Sequence, residues 1–474
     1  MKKTKILCTI GPATLDQQTL KLMHKAGMNG ARINTAYGNL SQYKDVVTRV
    51  RKVCDVPILL DLKGPELRVH SVKPLKLERG DTLRVGGGLE VSFNHPIYSQ
   101  LMVGDVVFFD DAKIETTVST SENNSLNLCV NVGGLLEDGK GVNCPGRQLN
   151  VPSLSQRDLD LIGFAREQEV EFLGLSFTRN ADDIRNLKKE VGDSGFSVVA
   201  KIENREGVDE FDSILSEADG IMVARGDLGI EIEQERVPLV QKRMIAACNQ
   251  AGKIVITATE MLESMIENPK PTRAEVSDVA NAILDGSDAI MLSGETAIGK
   301  YPIEAITMMV KIAQETEKAV ANKVEEEKYK NISSAISWSV NNISHSMPMD
   351  KVVTLTRTGY TAKAIARFRL KQPIIAVTRE LLTKRMLELV YGVYPVQFDY
   401  EDEEDRILSV AQAILSKKIV DEEDVVLFTA AFRTSQPHAS NLIEIHTIKE
   451  LIEFKSTTAL HRRVQDSDLS RLVV

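Results

Sequence analysis

Three polar residues lie where two successive apolar runs of the chain end. The run Ser197–Glu203 carries Lys201 and Glu203, and the run Gly220–Asp227 ends on Asp227. Because residues two apart on a strand point to the same face, Lys201 and Glu203 project together, and a neighbouring strand would bring Asp227 beside them. Two carboxylates suit Mg²⁺, and a fixed ammonium beside that ion suits a phosphoryl group in transfer. From these residues alone, a buried salt bridge at a sheet end is an equally good interpretation.

The composition is that of an ordinary globular protein and excludes several classes of function. The chain has 474 residues, which predicts two to three domains, and its net charge of −9 argues against a nucleic-acid or anionic-membrane binder. Its five cysteines form no C-x-x-C pair, which favours a reducing compartment. The N-terminal apolar run is too short for a signal peptide and no run approaches a membrane span, so we expect a cytoplasmic protein.

Eight short apolar runs alternate with helical patterns, which predicts a closed (β/α)₈ barrel of the TIM type. The predicted strands lie near Thr4–Ile10, Met28–Asn34, Val56–Lys63, Glu171–Phe177, Ser197–Glu203, Gly220–Asp227, Lys253–Thr259 and Ala289–Ser293. The gap between the third and fourth runs is several times longer than the others. A separate domain is therefore predicted within the third βα connection.

Polar residues recur at the carboxyl ends of these runs, from the second strand onward. They are Arg32, Asn34, Asp61, Lys63, Ser176, Lys201, Glu203, Asp227, Thr259, Ser293 and Glu295. The active sites of such barrels lie at the carboxyl ends of the strands. We therefore expect these side chains to share one site.

The long gap and the C-terminal third each have a pattern of their own. Residues 69–153, called the insertion below, are rich in Gly, Val, Asn and Thr and alternate as in Asp105–Asp110, which predicts a small all-β domain that could act as a lid. From about Ile332, strands and helices alternate, which predicts an open, mostly parallel α/β sheet. The predicted domains are thus a barrel (1–68 with 154–331), the insertion (69–153) and a C-terminal domain (332–474).

Six segments resemble the signature sequences of the pyruvate kinase family. They are Asp61–Glu66, Lys140–Asn143, Lys201–Asn204, Ala224–Gly229, Pro271–Asn281 and Met291–Ala297. The resemblance runs from Thr4 to about Ile448. It implies a TIM barrel with an inserted β-barrel lid and a C-terminal α/β domain, and a homotetramer. It also implies the glycolytic transfer of a phosphoryl group from phosphoenolpyruvate to ADP.

The resemblance implies a role for each polar residue around the reacting phosphoryl group. Glu203 and Asp227 would hold Mg²⁺ or Mn²⁺, Arg32 would grip the phosphate, and Lys201 would stabilise charge on the transferring group. The backbone amides of Gly226 and Asp227 would take the substrate carboxylate. The Arg225 side chain would then have a structural role.

Other implied roles concern the proton, the nucleotide and an effector. Thr259 would lie near the enolate, and Ser293 and Glu295 would feed protons through water, although ordinary hydrogen bonding between barrel and loop also fits these two. The nucleotide candidates are Asn34, Arg68 and Lys140, with Asp110 and Asp111 approaching the nucleotide's metal. A sugar-phosphate or nucleotide effector would bind at Thr356, Thr358, Gly359 and Thr361, where a simple capped turn is the alternative.

The chain departs from the family at the segment Asn34–Gly38, which reads Asn-Thr-Ala-Tyr-Gly instead of Asn-Phe-Ser-His-Gly. Ala36 replaces the serine that ligates K⁺, and Tyr37 replaces the histidine that approaches the nucleotide. The ligands that would remain for K⁺ are Asn34, Asp61 and Leu62. Glu66 has the form associated with K⁺ dependence, so the two signals conflict. Since a missing oxygen weakens a cation shell, we predict weak or absent K⁺ activation.

Three other functions were weighed. A P-loop hydrolase fits poorly, because Gly134–Lys140 is followed by Gly141 instead of Ser or Thr. A barrel lyase using a metal-bound enolate would need neither the insertion nor the C-terminal domain. A catalytically weakened paralogue that binds metabolites is motivated by the altered Asn34–Gly38 segment. The sequence leaves the effector, the preferred metal, the subunit number and the role of residues 449–474 open.

Overall fold

The computed structural model describes residues 1–122, 124–147, 149–321, 331–400, 406–431 and 440–453. They form two compact units, one of residues 6–312 and one of residues 1–5 together with residues from 313 onward. Among the described residues, no helix is both long enough and apolar enough to span a bilayer.

The larger unit contains a closed eight-stranded barrel, as predicted. Its strands, numbered in chain order with β4–β12 in the insertion, are β1 (Lys5–Thr9), β2 (Gly30–Asn34), β3 (Ile58–Leu62), β13 (Phe172–Leu175), β14 (Ser197–Ile202), β15 (Gly220–Ala224), β16 (Ile254–Ala258) and β17 (Ala289–Leu292). Neighbouring pairs such as β2–β3 and β14–β15 run parallel. Strand β3 also pairs with β13, so the insertion leaves and re-enters the barrel between two adjacent strands.

The barrel strands are apolar because both of their faces are covered. All five residues of β3 and of β15 are buried, as is typical of parallel strands between a barrel interior and an outer helical layer. The run Gly220–Asp227 was predicted as one strand, but β15 ends at Ala224. Asp227 therefore lies in the first turn of a helix, with its backbone N–H near the helix start.

The helices of the barrel begin with the caps that their sequences favour. Asn39 and Ser155, for example, each accept a hydrogen bond from the backbone N–H three residues later. The helices are α1 (Gln17–Ala26), α2 (Leu40–Val53), α3 (Gln156–Glu167), α4 (Ala181–Val191), α5 (Arg205–Asp209), α6 (Phe211–Glu217), α7 (Arg225–Glu231), α8 (Val237–Ala251), α9 (Arg273–Asp285), α10 (Gly294–Ala297) and α11 (Pro302–Thr316).

The insertion is built from antiparallel strands around its own hydrophobic core, in agreement with the all-β prediction. Phe93, Tyr98 and Phe109 pack together at the centre of this core. The strands are β4 (Val69–Ser71), β5 (Leu75–Leu77), β6 (Thr82–Gly86), β7 (Val91–Phe93), β8 (Val106–Phe109), β9 (Ile114–Glu122), β10 (Ser125–Val132), β11 (Gly134–Leu136) and β12 (Val142–Asn143). The largest sheet has the order β12-β8-β9-β10-β6.

The smaller unit contains the predicted open α/β sheet, in the order β20-β19-β18-β21-β22. Only β22 runs antiparallel to its neighbour among the described strands of this sheet. The elements are α12 (Ile332–Ser346), β18 (Lys351–Leu355), α13 (Tyr360–Ala366), β19 (Ile374–Thr378), α14 (Leu381–Leu387), β20 (Val393–Gln397), α15 (Arg406–Ser416), β21 (Val425–Ala430) and β22 (Leu442–Thr447). Residues 454–474 of the predicted tail lie outside the described residues.

Candidate active site

Arg32 and Asp61 meet at the carboxyl end of the barrel because β2 and β3 are neighbours. The Arg32 Nε and Nη2 atoms both donate to Asp61 Oδ2, at 2.9 and 2.5 Å. The Arg32 Nη1 atom donates to Thr9 Oγ1, at 3.0 Å, on the other adjacent strand. An arginine has five N–H donors. These three bonds leave one N–H on each terminal nitrogen, which is enough for two phosphate oxygens.

Lys201 is held on the opposite side of Asp61. Its Nζ atom lies 3.0 Å from Asp61 Oδ1 and 3.0 Å from Glu203 Oε1, and it donates to Ser176 Oγ at 2.6 Å. The residue is 6% exposed. Burial by itself would lower the pKa of Lys201, but the carboxylates of Asp61 and Glu203 raise it above its usual value. The ammonium therefore stays charged.

Asp61 is shared between the two cations. Besides Arg32 and Lys201 it accepts a hydrogen bond from Ser176 Oγ, at 3.1 Å. Burial would raise the pKa of Asp61, but Lys201 and Arg32 lower it below its usual value. Asp61 is thus an ionised carboxylate with four donors around it.

The predicted pair of metal-binding carboxylates lies next to this cluster. Glu203 directly follows β14, and its Oε2 atom accepts the backbone N–H of Phe177 at 2.7 Å. Burial and the nearby Glu203 carboxylate raise the pKa of Asp227 to about 7. Lys201 opposes this rise only in part, and within the described ranges no hydrogen bond or ion pair to the Asp227 side chain is found. The donor set therefore fits a divalent cation.

The protein supplies only part of the coordination shell. No group of three or more His, Cys, Asp or Glu side chains that could hold a metal is found among the described residues. A divalent ion at Glu203 and Asp227 would complete its shell with substrate oxygens and water, which is the usual arrangement for Mg²⁺ in phosphoryl transfer.

Thr259 connects the loop after β16 to the start of α7. Its Oγ1 atom accepts the backbone N–H of Gly226 at 2.8 Å and donates to the carbonyl of Ala258 at 2.6 Å. Thr259 and Glu260 have left-handed φ values of 66° and 52°. Such conformations are costly for residues with a Cβ and cluster at functional sites.

Arg225 secures this left-handed turn. Its guanidinium donates to the carbonyl oxygens of Thr259 and Glu260, at 2.6 and 2.8 Å, and to Asp278 Oδ2 at 2.6 Å. The side chain is buried. This geometry supports a structural role for Arg225.

A cavity of about 1230 Å³ opens beside this turn. Its lining includes Gly226, Asp227, Thr259, Ser293 and Glu295. Glu295 accepts the backbone N–H groups of Leu262 and Ser293, at 3.0 and 2.7 Å, and burial raises its pKa. The Ser293 Oγ atom is buried and has no hydrogen-bond partner in the part of the chain that the structure describes.

Two of the three nucleotide candidates lie together where the insertion joins the barrel. Arg68 pairs with Glu66 through two bonds, at 2.7 and 2.9 Å, and forms a β-bridge with Gly141. Lys140 lies 3.1 Å from Asp110 and 3.4 Å from Glu137. The third candidate, Asn34, ends β2 in the barrel.

The oxygens implied for K⁺ already have partners. Asn34 Oδ1 accepts the N–H of Ala36 at 3.0 Å, the Leu62 carbonyl accepts the N–H of Ser176 at 3.2 Å, and the Asp61 carboxylate is occupied as described. Ala36 offers no side-chain oxygen. The set thus contains one side-chain oxygen fewer than the family pattern, and each of its oxygens named here already accepts a hydrogen bond.

Thr356, Thr358 and Gly359 lie on the loop between β18 and α13 of the smaller unit, and Thr361 lies in the first turn of α13. Thr356 Oγ1 accepts the N–H of Gly359 at 3.0 Å, and Thr361 Oγ1 lies 2.6 Å from Ser440 Oγ. Gly359 has φ 80° and caps α13. Thr358 lies between them on the same loop. The geometry is compatible with a capped turn and with an anion site.

Comparison with known proteins matches the family models for the pyruvate kinase barrel domain at residues 1–306 and the pyruvate kinase alpha/beta domain at residues 334–446. Pyruvate kinase of Sporosarcina psychrophila is 42% identical over 95% of this chain and 81% of its own length. That of Geobacillus stearothermophilus is 40% identical with the same coverage, and that of Clostridium acetobutylicum is 38% identical over 95% of this chain and all of its own. The chain belongs to the pyruvate kinase family. A pyruvate kinase is a phosphotransferase of glycolysis.

Sequence reasoning missed some residues of this cluster. Thr9 ends the first strand, where no functional residue was expected, and Ser176 was noted only as a polar strand end. The signal for both was the same as for Arg32, namely a polar side chain at the carboxyl end of a barrel strand. Asp61 was predicted only as a K⁺ ligand, and in the structure its carboxylate contacts Arg32 and Lys201.

Proposed function

We propose that this enzyme transfers the phosphoryl group of phosphoenolpyruvate to ADP through Arg32, Lys201, Glu203 and Asp227. The observation that carries this proposal is the buried Lys201 ammonium, 3.0 Å from Glu203. A bound Mg²⁺ or Mn²⁺ supplies charge neutralisation on the phosphoryl and enolate oxygens. The two carboxylates would hold that ion, and the two cations would hold the phosphoryl group.

The number of N–H donors on Lys201 suggests how it engages the substrate. Its three N–H groups are directed to Asp61, Ser176 and Glu203. When Glu203 serves as a metal ligand, Lys201 keeps Asp61 and Ser176 and has one N–H for a phosphoryl oxygen. Arg32 supports the same group with its two remaining N–H donors. Charge that develops during transfer thus meets fixed donors in a buried site.

The substrate carboxylate and the enolate fit the other side of the site. The backbone N–H groups of Gly226 and Asp227 lie at the start of α7, where they favour an anion. Thr259 lies against Gly226, and Ser293 and Glu295 line the same cavity. We propose that protons reach the enolate face through Thr259 and through water near Ser293 and Glu295.

The direct test is the formation of pyruvate from phosphoenolpyruvate and ADP with Mg²⁺. We expect ADP-dependent turnover that the Lys201→Met variant loses by a factor on the order of 10³ or more, because the methionine removes the charge and keeps the stem. Release of pyruvate without ADP would favour a barrel lyase. Absence of turnover together with binding of phosphorylated metabolites would favour the weakened paralogue.

We also propose that K⁺ activates this enzyme weakly or not at all. The support is the missing oxygen at Ala36 and the engaged oxygens of Asn34, Asp61 and Leu62. Addition of KCl to an alkali-free assay should leave the rate nearly constant, while the matched variant Ala36→Ser should gain a response. A strong stimulation of the wild-type enzyme at low millimolar KCl would contradict this proposal.

For the nucleotide we propose Arg68, Lys140 and Asn34, with the insertion acting as a lid. Arg68 and Lys140 lie at the junction of insertion and barrel, so closure would carry their charges toward the phosphates. Replacement of Lys140 by Ala should raise the KM for ADP more than that for phosphoenolpyruvate. An equal change in both constants would argue against a nucleotide contact.

Regulation, assembly and location remain proposals by resemblance. We propose that a sugar-phosphate or nucleotide effector binds at the segment that carries Thr356, Thr358, Gly359 and Thr361. We also propose that the enzyme is a cytoplasmic homotetramer. Thr361→Ala should abolish any shift of the phosphoenolpyruvate saturation curve caused by such effectors. Sedimentation equilibrium would measure the subunit number.

A further inference from the structure

We propose that Ser176 and Thr9 are positioning residues, each of which aims one of the two cations at the phosphoryl group. Ser176 orients Lys201, and Thr9 orients Arg32. This inference rests on the proposed function of those cations. It goes beyond it by assigning roles to two hydroxyls that touch no reacting atom.

Ser176 links Lys201 to Asp61 and fixes the direction of the ammonium. Its Oγ atom accepts from Lys201 Nζ at 2.6 Å and donates to Asp61 Oδ1 at 3.1 Å. Ser176 is buried at the end of β13. A hydroxyl can accept and donate at once, which the carboxylates around it cannot do when ionised. Ser176 is therefore the neutral member of a closed triangle of Lys201, Asp61 and Ser176.

Ser176 would matter more if Glu203 held a divalent ion. Glu203 would then be a weaker partner for Lys201, and the contacts to Asp61 and Ser176 would be the ones that direct the ammonium. Two partners determine the direction of the third N–H. With Asp61 alone, the ammonium could rotate and shift on its flexible four-carbon stem.

Thr9 performs the corresponding task for Arg32. Its Oγ1 atom accepts from Arg32 Nη1 at 3.0 Å and donates to the carbonyl of Leu292 at 2.9 Å. Asp61 holds one edge of the guanidinium through Nε and Nη2, and Thr9 fixes the remaining nitrogen. The plane of the guanidinium is thus defined by two strands, and the two unused N–H groups have set directions.

The two positioning residues should produce different kinetic signatures. Lys201 acts on charge that develops in the transition state, so loss of Ser176 should lower kcat. Arg32 grips the phosphate in the bound substrate, so loss of Thr9 should raise the KM for phosphoenolpyruvate. Loss of folded enzyme would also lower the apparent kcat without changing KM, so thermal unfolding and the amount of folded protein must be measured for each variant, and recovery by the conservative variant identifies the positioning role.

The experiment compares Ser176→Ala and Thr9→Val with their conservative variants Ser176→Thr and Thr9→Ser. We expect kcat to fall roughly tenfold in Ser176→Ala with KM changed by less than about twofold, and KM to rise roughly tenfold in Thr9→Val with a smaller change in kcat. The conservative variants keep the hydroxyl and should recover most of each loss.

Ser287→Ala is the matched control. Ser287 is also a buried barrel serine with two partners, Thr257 Oγ1 at 2.7 Å and the carbonyl of Ala282 at 2.8 Å, and neither is a cation. Its kinetic constants should stay near those of the wild-type enzyme, and thermal unfolding would show that each variant folds.

Each outcome discriminates between the two proposals. Turnover in the wild-type enzyme with Ser176→Ala equal to Ser287→Ala would overturn the positioning role and leave the proposed function intact. Equal effects of Ser176→Ala and Thr9→Val on both constants would also overturn it, as would failure of Ser176→Thr and Thr9→Ser to recover any activity. Absence of wild-type turnover would instead overturn the proposed function, and this inference with it.

Discussion

Asp61 in the barrel and Asp110 in the insertion are two aspartates of the larger unit that differ in burial and in their partners. The Asp61 side chain is 3% exposed and receives donors from Arg32, Lys201 and Ser176. The Asp110 side chain is 17% exposed and pairs with Lys113 and Lys140, whose side chains are 66% and 33% exposed. The charges of the barrel site are therefore held among buried partners, whereas the partners of Asp110 in the insertion are accessible to solvent.

The backbone shows the same contrast. Asp110, Asp111 and Ala112 have left-handed φ values of 50°, 55° and 61°, three in succession without a glycine. Each such residue costs about 1 kcal/mol. The insertion thus contains a strained turn at Asp110–Ala112, whereas the barrel contains a buried network of charged side chains around Asp61. A strained turn with surface ion pairs can change shape at low cost, which suits a segment that meets a second substrate.

The largest expected effect follows from replacing Asp61 by Asn. The amide keeps the shape but leaves two buried cations without their shared carboxylate, so we expect a loss of about 3–5 kcal/mol in stability and a strong loss of activity. Calorimetric unfolding and the pyruvate assay measure the two effects. A variant with near wild-type stability would show that the cations are better solvated than the contacts indicate.

A smaller effect, of opposite sign, is expected from replacing Ala112 by Gly. Glycine adopts a φ of 61° without the Cβ penalty, which outweighs its greater freedom in the unfolded chain, so the variant should gain about 0.5–1 kcal/mol. The measurement is the thermal unfolding midpoint, with Ala36→Gly as a control on a non-left-handed backbone. A lower midpoint for the Ala112 variant would contradict the strain argument.

Glu231 lies at a contact between the barrel and the insertion, because its side chain accepts a hydrogen bond from Asn143 of the insertion at 2.8 Å. Burial raises the pKa of Glu231 above its usual value of 4.5. As far as this carboxyl is concerned, the folded protein is therefore most stable at low pH, where the carboxyl is protonated, and it loses that stability as the pH rises through the raised pKa. Glu231→Gln should therefore unfold at a higher temperature than the wild-type protein at pH 8. The difference should vanish near pH 4.5, and an equal difference at both values would refute the assignment.

The smallest effect is expected from Asp110→Asn. Its lysine partners, Lys113 and Lys140, are 66% and 33% exposed, so solvent screens both ion pairs and the change in stability should stay within about 0.5 kcal/mol. Calorimetry of Asp110→Asn and Asp61→Asn side by side would measure how much each aspartate contributes to the free energy of unfolding. A loss comparable with that of Asp61→Asn would show that the two ends of the site are built alike.

The sequence predicted much of the barrel because its signals are local. Apolar runs of strand length predicted the eight strands, and the carboxyl ends of parallel strands necessarily converge. These signals alone predict that Arg32, Lys201 and Glu203 share one site. The resemblance then supplied the reaction, since its segments are long and ordered.

The rest depends on contacts that the sequence does not encode locally. The exact bounds of β15 and α7 are one example, since the run Gly220–Asp227 was predicted as a strand and β15 ends at Ala224. A threonine such as Thr9 is common in strands, so its bond to Arg32 could not be distinguished from ordinary strand composition. The partners of Asp61 come from three other strands, and only the closed barrel reveals them.

The hydrogen bond from Thr9 to Leu292 also has a consequence for biosynthesis. It joins the first barrel strand to the last across 283 residues of chain. At ribosomal rates of roughly 5–20 residues per second, β1 waits about 15–60 s for β17 to be made, while the insertion between them has long been complete. The orientation of Arg32 is settled only when this seam closes. Catalytic activity would then appear only after β17 has been synthesised, and its onset during translation would report when the barrel closes.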